Sequence, residues 1–186
     1  MRSDNKETEI KILDIDRTEV IQNLKTLKAK FKGKYNLERV VFDLKGKKDP
    51  FASIRVRTDG KTVTMTLKDA SNQKEGWKTS TPEWEVVTDD FLRTKDLLYG
   101  LLYPKHTKMV LHMRNTREIF EIGKISVTID KWPKLPYLVE IEGPTENNIE
   151  KVYKKLDIQG RRIGNKPISE VYKLYGLNYH VLFKIS

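Results

Sequence analysis

The sequence predicts a strand-dominated α+β fold in a single domain spanning residues 1–186. Three observations carry that expectation. Runs alternating with period two fill most of the chain, Asp59-Gly60 sits between two of them as a hairpin turn, and only a few segments keep helical spacing. The count is about eight strands and three or four helices.

Taken in order, "ETEIKIL" (7–13) is a strand, and Asp16 followed by Glu19 reads as a helix N-cap with its reciprocal partner. Val20, Leu24, Leu27 and Phe31 recur at helical spacing, so a helix is expected from Arg17 to about Phe31, with Lys25, Lys28, Lys30 and Lys32 on or near its wet side. "NLERVVFDL", "ASIRVRT", "TVTMTLKD" and "PEWEVV" follow as strands. "TDDFLRTKDLLYGLL" is a helix capped by Thr88 or Asp89 and closed by Pro104. Two strands meet near Gly123, "YLVEIEG" ends at Gly143-Pro144, and Thr145 with Asn148 opens a helix carrying Ile149, Val152, Tyr153 and Leu156. "ISEVYKLYG" is a last short helix stopped by Gly176.

Composition narrows the function. Lys and Arg number 36 against 26 Asp and Glu, a net charge of +10, which favours an anionic partner. The chain has no cysteine, so disulfides and thiolate metal sites are excluded. No apolar run approaches a membrane span or a signal-peptide core, and a soluble, cytoplasmic protein is expected. The three histidines, His106, His112 and His180, lack metal-ligand spacing.

What the strands carry is more informative. Glu7, Glu9 and Lys11 share one face; so do Arg55 and Arg57, Thr66 and Lys68, Glu83 and Glu85, and Glu140 and Glu142, while Ile10, Ile54, Val56, Leu67, Trp84 and Ile141 point the other way. Any one pair is what a solvated strand face carries. Five of them on separate strands fit a closed antiparallel barrel of about eight strands whose lumen is wet and charged and whose outside is packed by apolar residues and helices. Cations there, Arg117 included, need a polyanion or carboxylates beside them. The carboxylates would in turn repel phosphate unless a hard divalent cation bridged the two. Both signs together point to a metal–polyphosphate complex.

In this ordered set the chain resembles the CYTH superfamily, the triphosphate tunnel metalloenzymes that include class IV adenylyl cyclases and thiamine triphosphatases. The E-x-E-x-K signature is Glu7, Glu9 and Lys11. "SIRVRTDGKTVTMTLKD" is similar to the family's R-x-R and T-x-K strands, with Arg55, Arg57, Thr66 and Lys68, and "PEWEV" to its next E-x-E strand, with Glu83 and Glu85. "TREIFEIGKISVTIDKWPKLPYLVEIEG" resembles the distal block, placing Arg117, Asp130, Glu140 and Glu142, and "ISEVYKLYG" the C-terminal helix. Two departures stand out: Asn115 occupies the place of a frequent lysine, and "KWPKLPY" replaces a glycine-containing turn.

The resemblance implies an eight-stranded antiparallel triphosphate tunnel with helices outside. It implies phosphate contacts from Lys11, Arg55, Arg57, Lys68 and Arg117, and Mg²⁺ or Mn²⁺ held by Glu7, Glu9, Glu140 and Glu142. Glu83 and Glu85 would be metal ligands or would orient the arginines, Asp130 would serve the metal or position water, and Lys166 would cap the tunnel mouth. The activity expected first is hydrolysis of a triphosphate (tripolyphosphate, thiamine triphosphate or a nucleotide such as ATP), because it asks less of the protein. The alternative is an adenylyl cyclase making cyclic AMP and pyrophosphate. A second alternative is a non-catalytic polyphosphate- or nucleotide-binding module. No membrane partner is expected, nucleic acid is disfavoured by the paired carboxylates, and the chain would act as monomer or homodimer.

Overall fold

The computed structural model describes residues 8–44, 52–69 and 83–185. In chain order its elements are β1 (Thr8–Leu13), α1 (Arg17–Thr26), β2 (Lys30–Leu44), β3 (Ala52–Thr58), β4 (Val63–Asp69), β5 (Glu83–Thr88) and α2 (Phe91–Leu102). There follow β6 (Thr107–Ile122), β7 (Ile125–Lys131), β8 (Tyr137–Gly143), α3 (Glu146–Leu156), β9 (Arg161–Gly164), α4 (Ile168–Leu174) and α5 (Tyr179–Phe183). The fold is the expected α+β class: the strands are hydrogen-bonded in the order β5-β4-β3-β2-β6-β7-β8-β1-β9, and the registered pairs run antiparallel. The chain divides into two compact units, a first built on Asn36–Arg114 with Asn178–Ser186 and a second built on Asn5–Tyr35 with Asn115–Leu177.

In the second unit one face of the sheet is apolar and helix-covered. Ile10 and Ile12 of β1, Ile125, Val127 and Ile129 of β7, and Val139 and Ile141 of β8 are buried together with Val20 and Leu24 of α1 and Ile149, Val152 and Leu156 of α3. Period two on the strands and period 3.6 on the helices bring these side chains to one layer. The caps are local. Asp16 accepts from the N–H of Thr18 and Glu19, and Thr145 from that of Asn148.

In the first unit β2, β3, β4 and β6 bury Val40, Phe42, Val56, Val63 and Val110 against Leu98 of α2. The Asp59-Gly60 turn forms as expected: Asp59 accepts from the N–H of Lys61 and Thr62, and Gly60 has a positive φ of 90°.

Four expectations need correction. The first helix stops at Thr26, because Lys28 turns left-handed (φ 56°) and Ala29 N–H reaches back to the Leu24 carbonyl, closing the helix. Phe31, which extends the helical spacing by coincidence, lies instead on β2, where it is 56 % exposed. The cap of α2 is Asp90, which accepts from Arg93 N–H, rather than Thr88 or Asp89. The strands number nine among the described residues because the four-residue β9 adds to β1, and α5 is an additional short helix.

Candidate functional site

The charged set of the second unit occupies the sheet face opposite its helices. On β1, Glu9 and Lys11 alternate with Ile10 and Ile12, so a strand with one face in the core must present them on the other. The β1–β8 register sets Glu9 across from Glu142 and Lys11 across from Glu140. Directly opposite residues project to the same side, so β1 and β8 together present three carboxylates and an ammonium on one face. β7 contributes Asp130 and, across from Glu140, the buried Thr128. β6 adds Arg117 across from Asp130.

The contacts are those of a charge network. Lys11, only 7 % exposed, donates to Glu9 and lies 3.6 Å from Glu140. Arg117 engages Asp130 with both arms of its fork, Nε to Oδ1 at 2.7 Å and a terminal nitrogen to Oδ2 at 2.5 Å, and stands 3.6 Å from Glu140. Asn115 donates Nδ2 to Asp130 Oδ1 at 3.3 Å. Asp130 therefore receives a neutral amide beside the Arg117 fork.

Protonation follows from these neighbours. Burial alone would push the Glu140 carboxyl up, but the Lys11 and Arg117 charges more than offset it and hold it down at about 2. Burial works against the Lys11 ammonium too, and Glu140 and Glu9 outweigh it and raise the group. Arg117 is raised by Glu140 and Asp130 despite its burial. Glu9 goes the other way: burial and repulsion from Glu140 raise its carboxyl, with Lys11 recovering only part. The face thus holds two cations and a carboxylate, Glu140, stabilised in their charged forms, beside a second carboxylate, Glu9, raised above its ordinary value by burial and by Glu140.

The first unit carries the remaining residues. Arg55 and Arg57 alternate on β3 with Ile54 and Val56, so they lie on the face turned from α2. The β3–β4 register sets Arg55 opposite Thr66, and β4–β5 sets Thr66 opposite Glu85 and Lys68 opposite Glu83. A relay of hydrogen bonds results: Arg55 donates to Thr66 Oγ1 at 3.3 Å, and the fully buried Thr66 hydroxyl donates to Glu85 at 2.7 Å. Arg57 stands across from Arg39 of β2.

Glu7 lies outside the described residues, and Glu83 is described by its backbone place at the start of β5. Lys166 is exposed, one residue before the Pro167 cap of α4. Arg39 and Thr128 share the charged faces without having been singled out from sequence. Their signal was the same alternation, at Arg39 two residues before Val41 and at Thr128 two before Asp130, diluted by apolar and small neighbours.

The CYTH domain family model matches residues 5–175, nearly the whole chain and both units. The chain belongs to the CYTH domain family. Solved structures of similar fold include the PH1012 protein of Pyrococcus horikoshii, 20% identical with a TM-score of 0.65 over 83% of this chain and 95% of that one. A proposed adenylate cyclase from Vibrio parahaemolyticus is 10% identical with a TM-score of 0.67, covering 91% and 98% of the two chains. A proposed adenylyl cyclase from Hippeastrum, described as having a dominant triphosphatase activity, is 12% identical with a TM-score of 0.58, covering 92% and 96%. At such identities the likeness is one of fold, and it is the tunnel-type CYTH fold that they share with this chain. No curated protein sequence matches it.

Proposed function

We propose that this CYTH protein is a divalent-metal-dependent enzyme acting on triphosphates, and that its reaction is hydrolysis. The observation that carries the reading is the β1–β8 register, which sets Glu9 across from Glu142 and Lys11 across from Glu140 on the face opposite the helices. Carboxylates and fixed cations side by side suit a metal–polyphosphate complex better than either partner alone. The Hippeastrum protein, with its triphosphatase activity, adds support at the level of fold.

The donor set fits a hard cation. Its members are carboxylate oxygens, the donors a hard cation takes; among the described residues no group of three or more His, Cys, Asp or Glu is placed to hold an ion, so these residues would supply fewer than three of its ligands. Mg²⁺ and Mn²⁺ sites of this kind are completed by water and substrate phosphate. On this reading one or two of Glu9, Glu140 and Glu142 would ligate the ion, with Glu7, two residues before Glu9 in sequence, as a further candidate. A bound Mg²⁺ or Mn²⁺ supplies charge neutralisation and polarisation at the phosphoryl oxygens.

The chain's own residues do the rest. Lys11 and Arg117, held in their charged forms, neutralise negative charge that builds on the phosphate chain. Asp130 fixes the plane of the Arg117 fork, leaving its remaining N–H groups directed by that plane. Arg55, Arg57 and Lys68 are assigned to phosphate on the family resemblance, with Thr66 and Glu85 orienting Arg55.

The test is incubation with tripolyphosphate, thiamine triphosphate and ATP, each with Mg²⁺ or Mn²⁺, assaying orthophosphate, pyrophosphate and cyclic AMP separately. Orthophosphate release, lost on chelation and reduced at least about 100-fold in Glu9→Gln and Glu142→Gln, is the expected result. Pyrophosphate with cyclic AMP would replace the hydrolase by the cyclase. Full activity in both variants would remove the metal assignment, and no turnover of any substrate would leave a binding module.

A further inference from the structure

A second cationic feature lies away from the paired carboxylates. Between Glu19 and Glu38 the chain has no acidic residue and carries Lys25, Lys28, Lys30, Lys32 and Lys34, with Phe31 and Tyr35 interleaved. On a helix this would be a wet face. The structure instead puts Lys30–Tyr35 on the first part of β2, where the lysines are exposed and Phe31 is 56 % exposed.

Three details give this stretch a form. β3 pairs with Glu38–Asp43 of β2, so among the described residues the Lys30–Tyr35 part has β6 as its neighbour on one side and an open edge on the other. Gly33 takes a φ of 145°, and a Cβ there would stand 2.9 Å from the Tyr35 hydroxyl, which donates to the Lys32 carbonyl. Tyr35 is thereby folded back and Phe31 is the ring left outward, seated on Phe120 with ring centroids 5.0 Å apart. Lys32 and Lys34 form exposed ion pairs, with Glu121 at 3.2 Å and with Glu118 at 3.7 Å, and Glu118 is also held by both arms of Arg17; exposed pairs of this kind are weak and exchange readily for a phosphate.

We propose that this edge, Lys28 to Lys34 with Phe31 at its centre, is a docking surface for single-stranded nucleic acid. Lysine point charges spread along one strand match a phosphate backbone without reading sequence, and an outward ring backed by a second ring is a stacking platform for one base. Lysines along a strand edge discourage pairing with another strand, which argues against an added peptide. Charge complementarity and the exposed ring together select the partner.

The experiment is fluorescence anisotropy of a labelled mixed-sequence oligonucleotide of about 20 nucleotides, titrated with the full chain at several salt concentrations. Binding should weaken with salt with a log–log slope of about −2 to −3, as expected for four lysines. Lys30→Gln with Lys32→Gln should reduce that slope by about 1.4. Phe31→Ala should weaken binding about five-fold or more, while Phe31→Trp retains it. Circular dichroism and thermal melting of each variant confirm that it is folded. Absence of binding by the unmodified chain would overturn the proposal. So would an unchanged slope in the double lysine variant, unchanged affinity in Phe31→Ala, or a preference for phosphatidylserine vesicles or a poly-glutamate peptide over the oligonucleotide.

Discussion

Asp130 is almost fully buried, and its two oxygens receive the Arg117 fork and the Asn115 amide. A carboxylate so placed is tolerable because it is paired, and Arg117 is held charged by the same arrangement. Asp130→Asn leaves a buried guanidinium with Glu140 as its nearest remaining carboxylate, and the variant should be destabilised by about 3 kcal/mol, read as a shift in urea midpoint at unchanged m-value. Its effect on turnover should be as large as that of Arg117→Gln if orientation of the fork is what Asp130 provides.

Glu38 offers a pH handle on stability through residues that the proposed metal site does not use. Burial alone would raise its carboxyl, but hydrogen bonds from Arg114 at 2.9 Å and with His112 at 2.6 Å more than offset this and lower it. A carboxyl depressed in the folded state contributes stability above its ordinary, unfolded value, and that contribution is lost as pH falls through the depressed value. Glu38→Gln should therefore melt below the unmodified chain near neutral pH, and the gap should close as pH falls below about 4. A gap that stays constant with pH would mean the pair adds nothing through charge.

At the scale of elements, β1 is the strand on which the proposed site depends, and it is held on both sides, by β8 and by β9. The approach to β9 is close. Gly160 has a φ of 153°, and a Cβ there would stand 2.5 Å from the Leu13 carbonyl oxygen, a backbone atom that cannot swing aside. Gly160→Ala should cost at least about 2 kcal/mol and loosen β9 from β1. Amide hydrogen exchange should show faster exchange at Leu13 and Arg161, register partners across that pair, before it appears in the α2 segment.

For the whole molecule, the net charge of +10 acts beyond any single contact. Fixed cations draw a polyanionic substrate from solution, and salt screens that attraction. On the proposed reaction, KM for tripolyphosphate should rise as NaCl is raised from about 50 to about 300 mM, with kcat changing much less. No helix among the described residues is long and apolar enough to cross a membrane.

The two-faced strands were legible in the sequence because a period of two is a local property. Ile10 and Ile12 against Glu9 and Lys11, or Val56 between Arg55 and Arg57, needed only the pleat to be placed on opposite faces, and the structure has them so. Asp16, Thr145 and Asp59-Gly60 are equally local, each satisfying backbone groups within three residues. Phe31 was misplaced for the converse reason. Its helical spacing from Leu27 was a coincidence that the left-handed turn at Lys28 breaks, and nothing in the hydrophobic period marks a single residue of backbone.

What only the tertiary structure decided is which charges meet. The sequence alone determined that carboxylates and cations share strand faces, and the ordered motifs that mark the CYTH family. It could not say that Arg117 spends its fork on Asp130, that Glu9 sits high while Glu140 sits near 2, or that Thr66 relays Arg55 to Glu85. Those depend on register between paired strands, consecutive ones such as β6 and β7 as well as β1 and β8, which are far apart in the chain, and on burial, which sets how strongly two charges a few ångströms apart are felt. Periodicity is written along the chain; pairing and dielectric exist only once it has folded.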